Sequence, residues 1–290
     1  MKIKYGSIQS VKGEWINNLC LGMIERLLAL FFFHPFLNWV LHLYSEPFFR
    51  LESNFNTFVI ALILVDFSWY WFHFLAHKWN LLWFIHKAHH APQKMNLSVA
   101  FVNHPIGTFL RGFIYCAIAQ IGVPLELVLM AVYVKAFYQY FQHTELWNRI
   151  PVLDKILVMP SHHRIHHAAN KDILDKNFGG IFIIWDKIFG TYLKNYDGIH
   201  YGLHQEKMPL SVTASLLGGY RPRLFFNISP KFIKAEISVN WVLFLFTIFL
   251  ISFSAFVYIP QVKTMAGIIT VIVILILASW NMMSNKETIH

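Results

Sequence analysis

The stretch that decides the fold is DFSWYWFHFLAHKWNLLWFIHKAHH, residues 66–90. It holds five histidines at H-x-x-x-H and H-x-x-H-H spacing: His73, His77, His86, His89 and His90. On an α-helix, side chains three and four positions apart lie on one face, so each set presents its imidazoles together. Trp, Phe and Leu surround them, which indicates apolar surroundings. Because neutral imidazole is the commonest protein ligand for transition metals, this stretch predicts a metal site.

The H-x-x-H-H spacing returns in SHHRIHH, residues 161–167. A further histidine, His143, ends an apolar segment, with Gln139 one helical turn before it. Three clusters at ligand spacing favour metal binding over solvated surface histidines, and nine imidazoles suit two ions rather than one. The predicted ligands are His73, His77, His86, His89, His90, His143, His163, His166 and His167.

The remaining histidines do not fit these clusters. His162 precedes the second H-x-x-H-H set and is predicted to lie outside the ligand shell. The isolated His34 and His42 are predicted to be interfacial or packed histidines, and His104, alone before a proline, is predicted to be structural.

Several kinds of metal site are excluded by pattern. Structural zinc sites favour cysteine, whereas this chain has two cysteines in separate apolar stretches. The H-E-x-x-H motif of metalloproteases and the Glu-x-x-His helix pairs of carboxylate-bridged di-iron proteins are both absent. A histidine-rich dinuclear centre at a membrane surface remains, and non-haem iron with open positions carries out O₂ chemistry.

Composition indicates an integral membrane protein. Apolar residues make up 56% of the 290 residues and charged residues 13%, against about 25% charged in soluble domains. The predicted fold is all-α, a single membrane helical bundle over residues 1–290. Expected spans are a broken segment over 16–43 interrupted at Pro35, a helix over 55–79, a hairpin over 99–141 turning at 122–124, and a C-terminal hairpin over about 237–282.

The distribution of Lys and Arg predicts orientation. Between His143 and Glu236 lie 12 of the 24 basic residues, whereas the two hairpin tips hold only Lys263. The positive-inside rule therefore predicts that the histidine clusters face the cytoplasm. The net charge of +9 is attributed to contact with anionic lipid, not to nucleic acid.

Carboxylates and amides near the clusters are candidates to orient the imidazoles. Asp66 lies inside the apolar span, where a carboxylate indicates either a functional group or a structural hydrogen bond to a neighbouring element. Glu145 and Asp186 are the other acidic candidates, and Asp186 of the W-D-K segment is preferred.

The three histidine motifs resemble the fatty acid hydroxylase / sterol desaturase superfamily. HHAPQKMNLSVA, the segment from HHRIHH to DKNFGGIFIIWDKIFGT, and YGL followed by GGYRPR are most similar to its alkylglycerol monooxygenase branch. The resemblance implies a membrane di-iron oxygenase that uses O₂ and external electrons to hydroxylate or desaturate a lipid. It also implies a helical membrane anchor with a cytosolic helical cap that carries the metal site. In that site, the resemblance implies that His143 and Gln139 complete the metal shell.

The resemblance bears on the electron source as well. The external donor is expected to be a cytochrome b5-like protein, a ferredoxin-like protein or a pterin, and since no cytochrome b5 domain is appended, a separate partner is expected. Animal members of the branch carry a glutamate after the second histidine of the first pair, where this chain has Lys78. That difference argues against pterin dependence.

The sequence thus predicts a di-iron lipid hydroxylase acting on an ether lipid, sterol or fatty acyl chain. A lipid desaturase with the same centre and a non-catalytic membrane protein that binds metal or haem remain the alternatives.

Overall fold

The computed structural model describes residues 8–33, 35–36, 47–145, 150–204 and 216, all within one compact unit over residues 1–226. The predicted C-terminal hairpin, together with His34 and His42, lies outside the described residues. Within the described residues, the regular secondary structure is helical, and the β-type contacts are two isolated bridges, Leu157 with Phe182 and Ala168 with Tyr201.

Seven α-helices follow one another in the described chain. They are α1 (Ile8–Leu28), α2 (Phe55–Lys78), α3 (Asn80–His90), α4 (Pro105–Ile121), α5 (Leu125–Gln142), α6 (Pro160–His166) and α7 (Ile184–Ile188). A π-helical turn, Ala29–Phe33, continues α1, and short 3₁₀ turns cover Leu97–Phe101, Leu153–Lys155 and Lys171–Ile173.

Helix α1 begins earlier than the composition indicates. The apolar segment was predicted to begin at residue 16, yet the helix is formed from Ile8 onward. The backbone of Gln93 and Lys94 approaches the buried Glu14 carboxylate and offsets part of the cost of its burial. The π-helical turn comes immediately before the predicted interruption at Pro35.

Helix α2 is the central element. Asn54 caps its N-terminus by accepting a hydrogen bond from Thr57 N at 3.0 Å. Its apolar half packs on α4 and α5 in a core of small and branched side chains, and its second half carries His73 and His77. The core residues are Ala61, Val65, Ile118, Val123, Leu127, Val128 and Ala131.

Two described helices are long and apolar enough to cross a membrane, Glu14–Phe33 and Phe55–Lys78. The predicted hairpin is present as α4 and α5, which meet at a turn where Gly122 takes φ +133°. Each of its helices is shorter than predicted, with 17 and 18 residues, or about 25 Å against the roughly 30 Å of a bilayer core. The first is shortened because Leu97–Phe101 forms a 3₁₀ turn and α4 starts only after His104.

Candidate metal centre

All nine predicted ligands come together from four parts of the chain. Helix α2 supplies two, α3 supplies three, His143 follows the end of α5, and α6 with its C-terminal cap supplies three. They form two groups, and within each group one nitrogen from every residue lies within 4.8 Å of the others. The first group is His73, His77, His86, His90 and His166; the second group is His89, His143, His163 and His167.

Helix geometry explains how one H-x-x-H-H motif serves both groups. In α3, His86 and His90 belong to the first group and His89 to the second. At about 100° per residue, positions i and i+4 are only about 40° apart around the helix, whereas i+3 points about 60° to the other side of i. In α6 the same division sends His163 and His167 to the second group and His166 to the first. Each motif therefore divides as two plus one.

The Nε2 atoms converge inside each group. In the first, Nε2 atoms lie 3.1 Å apart between His73 and His86 and 3.2 Å apart between His77 and His90. In the second, the separations are 2.9 Å between His143 and His163 and 3.1 Å between His163 and His167. An ion about 2.1 Å from each nitrogen would hold neighbouring ligands about 3 Å apart. The donor set therefore fits metal ions.

The opposite ring nitrogens are anchored by the protein. An Nδ1–H donated to a carbonyl leaves the Nε2 lone pair free to face inward, which is the usual arrangement behind metal-binding histidines. Four backbone carbonyls serve this purpose: Phe178 O for His73 at 2.9 Å, Val102 O for His89 at 3.1 Å, Gln139 O for His143 at 2.8 Å, and Lys176 O for His166 at 2.9 Å.

Asp175 anchors a fifth histidine and was not foreseen from the sequence. Its Oδ1 lies 3.2 Å from His77 Nδ1, and its Oδ2 accepts a hydrogen bond from Lys78 Nζ at 2.7 Å. Burial raises the pKa of the Asp175 carboxyl, but the hydrogen bonds from His77 and Lys78 outweigh it and the pKa falls below its ordinary value. The carboxylate is therefore ionised and holds His77 in place. No spacing marks this residue, because it lies 98 positions from His77.

The loop that carries Phe178 is fastened by the two buried aspartates. Asp186 accepts hydrogen bonds from Phe178 N at 2.6 Å and Gly179 N at 2.8 Å. From α2, Asp66 accepts hydrogen bonds from Ile181 N at 2.6 Å and Trp185 Nε1 at 2.9 Å. Both candidates thus bind the loop, and neither makes a described hydrogen bond to a histidine. They act on the imidazoles through the loop backbone.

The adjacent glycines permit this close approach. A Cβ at Gly180 would collide with the Asp66 carboxylate, and a Cβ at Gly179 would lie 2.8 Å from Asp186 Oδ2. The NFGG segment, residues 177–180, therefore packs closely against two carboxylates, those of Asp66 and Asp186.

The other two candidates lie differently. Gln139 accepts a hydrogen bond from His143 through its backbone carbonyl. One turn later, the side-chain amide of Gln142 is buried, and its Nε2 donates to Val158 O at 3.0 Å and to Gly180 O at 2.6 Å. Glu145 is exposed and accepts a hydrogen bond from the Tyr201 hydroxyl.

Two histidines outside the groups have other contacts. His162 Nε2 lies 2.9 Å from Asp154 Oδ1. His104 caps α4, where its Nδ1 accepts a hydrogen bond from Ile106 N at 3.2 Å.

The seven imidazoles of the two groups that lie outside α2 are neutral at pH 7. Burial, with the neighbouring imidazoles second, holds the pKa of His86, His90 and His167 well below the ordinary value. The pKa of His89, His163 and His166 is lowered in the same way, and burial lowers that of His143 to about 4. Neutral imidazole is the form that binds metal.

Comparison with known proteins gives one family. The model of the fatty acid hydroxylase family matches residues 58–191. The human alkylglycerol monooxygenase is 34% identical over 190 residues, 65% of this chain and 42% of that protein. The ornithine lipid hydroxylase OlsE of Rhizobium tropici is 31% identical over 139 residues, 46% of this chain and 41% of that protein. The human lathosterol oxidase is 26% identical over 161 residues, 55% of this chain and 50% of that protein.

These matches cover about half of each relative or less, and no solved structure matches the chain. The matched segment contains every residue of both histidine groups. The resemblance found in the histidine motifs is thereby confirmed: residues 58–191 match the fatty acid hydroxylase family, and the chain has alkylglycerol monooxygenases among its relatives.

Proposed function

We propose that the protein is a membrane-embedded di-iron monooxygenase that hydroxylates a C–H bond of a lipid. The observation that carries the proposal is the pair of adjoining histidine groups, whose nine nitrogens converge in spacing suited to metal ions. The relatives named as lipid hydroxylases and monooxygenases support the lipid substrate. Two bound iron ions would supply O₂ activation and C–H oxidation.

The chain's own residues bind and orient. His73, His77, His86, His90 and His166 would hold one ion, and His89, His143, His163 and His167 the other. The carbonyls of loop 176–178 and the Asp175 carboxylate fix ring orientation, which keeps the ligands preorganised. Gln139 takes part through its carbonyl.

The reaction consumes one O₂, two electrons and two protons for each C–H bond converted to C–OH, with one water released. The electrons come from a separate reductant of the cytochrome b5-like, ferredoxin-like or pterin class. Lys78, at the position where animal members of the branch carry a glutamate, forms an ion pair with Asp175 beside the first group. Because of this difference, we favour a protein donor over a pterin.

We place the substrate's entry in the bilayer and the histidine groups on its cytoplasmic side. His73 and His77 lie at the end of α2, which is long enough to span, and aromatic side chains pack around them. Moving an alkyl chain from lipid into water costs about 0.8 kcal/mol of free energy for each CH₂ exposed. An opening toward lipid is therefore the favoured route.

The test is metal content followed by product mass. The full chain in lipid nanodiscs should contain two irons, and incubation with ether lipids, sterols and acyl lipids under ¹⁸O₂ with reductant should add one ¹⁸O to one class. Loss of two hydrogens without added oxygen would identify a desaturase. Haem absorbance, or variable metal content with no lipid product, would contradict the proposal and favour a binding protein.

A further inference from the structure

Two segments of the chain, residues 150–156 and 184–189, expose apolar side chains on the outside of the molecule. Val152 is 73% exposed, Ile188 59% and Ile156 56%. The other exposed apolar residues of the two segments are Ile150, Leu153, Ile184 and Phe189. A contiguous apolar surface on a protein marks contact with another protein or with a membrane. We call these residues the apolar patch.

Hydrogen bonds hold the two segments side by side. Ile183 N donates to Ile156 O at 2.9 Å, and Lys187 Nζ donates to Lys155 O at 2.7 Å. The exposed apolar side chains therefore belong to one surface rather than to two unrelated loops.

The acidic side chains of the same segments lie on the inner side. Asp186 is buried and accepts the hydrogen bond from Phe178 N, and the buried Asp154 has its Oδ1 2.9 Å from His162 Nε2. Both segments thus turn carboxylates toward the part of the chain that carries the histidines and apolar side chains outward. This division is typical of elements embedded in a membrane, where acidic side chains face the protein interior.

The patch continues an apolar stripe on helix α2. Ile63, Phe67 and Trp71 follow one another at i, i+4 and i+8, so they share one face of the helix. Ile63 and Trp71 are exposed, and Phe67 is half-buried. The Phe189 ring lies 4.9 Å from the Trp71 ring, and the Trp185 ring lies 5.0 Å from the Phe67 ring. Helix α7 is therefore packed directly against the stripe.

The contacts with α7 lie well inside α2, not at its end. Helix α2 has 24 residues, or about 36 Å at 1.5 Å per residue, against the roughly 30 Å of a hydrocarbon core. Along the axis, Phe67 and Trp71 lie about 16 and 10 Å before its last residue, Lys78. A span centred in the bilayer would extend only about 3 Å beyond the hydrocarbon at each end. The rings of α7 therefore lie beside a part of α2 that hydrocarbon would surround.

We propose that the apolar patch is immersed in the bilayer leaflet on the side of the histidine groups, so that residues 150–156 and 184–189 bind lipid beside α2. The occupant is lipid rather than a protein, because the patch continues the stripe of α2 and lies at its depth. Lys155 and Lys187 of the same segments are exposed, and lysines at a membrane surface attract anionic headgroups. The inference goes beyond the proposed function and takes from it only the membrane span of α2.

The experiment measures the depth of nitroxide labels on the purified full chain in nanodiscs. With Cys20 and Cys116 replaced, a single cysteine at Val152 or at Ile188 carries the label. O₂ concentrates in hydrocarbon and a neutral nickel chelate concentrates in water, so the ratio of their collision rates with the label reports its depth. At both positions the ratio should shift toward O₂.

Two reference positions calibrate the ratio. A label at Ile63 on the stripe of α2 should favour O₂, and a label at the exposed Lys171 should favour the chelate. Patch labels that behave as the Lys171 label does, while the Ile63 label favours O₂, would overturn the inference alone. Low collision rates with both agents would place the patch against another part of the chain or a second copy, and would overturn it too. An Ile63 label that favours the chelate would overturn the membrane span of α2 as well.

Thiol chemistry gives a second measurement without a bulky label. The thiolate is the reactive form of cysteine, and apolar surroundings disfavour it. In nanodiscs, Val152→Cys and Ile188→Cys should therefore lose reaction with a water-soluble maleimide, whereas Lys171→Cys should react. All three should react alike once the chain is unfolded in dodecyl sulfate, which controls for the thiol itself. Full reaction at Val152 and Ile188 in nanodiscs would contradict immersion of the patch.

Discussion

The imidazole rings of His90 and His167 lie 4.4 Å apart with their planes 24° from parallel, although His90 belongs to the first histidine group and His167 to the second. The stacked pair marks the boundary between the groups. Because α3 and α6 each contribute to both groups, the two proposed ions share supporting helices while each keeps its own ligands.

The division into groups predicts which substitutions affect the same ion. His163→Ala/His167→Ala removes two ligands from the second group and should leave about one iron per chain. His166→Ala/His167→Ala removes one ligand from each group and should leave less than one. Metal analysis of the purified variants measures this. His86→Ala, His90→Ala or His167→Ala alone should abolish turnover.

His200→Ala, which removes an exposed imidazole, is the matched control and should retain iron and activity. Alanine at His34 or His42 should also be tolerated, as the sequence predicts. Equal iron content in the two double variants would show that the groups do not describe ligation.

Asp186→Asn should weaken the support of His73. An amide can replace only one of the two carboxylate oxygens that Phe178 N and Gly179 N approach, and a buried donor left without a partner costs about 1–3 kcal/mol. We expect a lower free energy of unfolding by that amount and reduced iron content. Thermal unfolding and metal analysis measure the two effects.

The control for this substitution is Asp172→Asn. Its exposed carboxylate accepts a hydrogen bond from the Tyr196 hydroxyl, away from both histidine groups. Equal stability and iron content in the Asp186 and Asp172 variants would remove Asp186 from its supporting role.

Gly180→Ala should displace the loop from α2, because the added methyl collides with the Asp66 carboxylate that binds Ile181 N. We expect loss of iron together with a lower unfolding temperature. The control is Gly198→Ala, which introduces backbone strain without a collision, since Gly198 has φ +74° and open space around its Cβ position. An iron content in Gly180→Ala that matched Gly198→Ala would rule out the collision as the cause.

The lowered imidazole pKa values predict resistance to mild acid. A solvated imidazole is half protonated near pH 6.5, whereas burial keeps His86, His90 and His167 neutral well below that pH. Iron content after dialysis at pH 6.0 should therefore equal that at pH 7.5, and loss should begin only toward the pKa of His143, about 4. Half-loss of iron near pH 6.5 would contradict the burial of these ligands.

The Lys and Arg distribution predicts that the histidine clusters face the cytoplasm. With Cys20 and Cys116 replaced, a cysteine placed at Gln261 should react with an impermeant maleimide from outside the cell, and one placed at Asn170 should not. The opposite labelling pattern would reverse the orientation. Permeabilised cells, in which both positions should react, provide the control for accessibility.

The spacing of the histidines predicted which imidazoles come together, because helical periodicity decides which of them share a face. Their role as metal ligands stays a prediction. All nine predicted ligands lie in the two groups. The assignment of His89 and His166 to the group opposite their neighbours was not predicted. It follows from the same periodicity once two separate centres are allowed, since i+3 and i+4 diverge by about 100°.

The supporting residues could not be predicted in the same way. Asp175 and the carbonyl of Phe178 approach histidines about a hundred positions away, and no local pattern encodes such contacts. Asp66 was identified because burying a carboxylate in an apolar span costs free energy, but the sequence did not indicate which groups it binds. The hairpin helices were overestimated in length because apolar composition continues through the 3₁₀ turn at Leu97–Phe101, where the helical geometry does not.

The long reach of Asp66 has a consequence for synthesis of the protein. Its partner Ile181 is made 115 residues later, which at about 5–20 residues per second corresponds to a delay of roughly 6–23 seconds. During that interval α2 carries a carboxylate in an apolar segment without its final hydrogen bonds, and His73 lacks the Phe178 carbonyl that orients it. In the nascent chain, the hydrogen bonds that orient His73 and fasten the loop to α2 can therefore form only after the loop emerges from the ribosome.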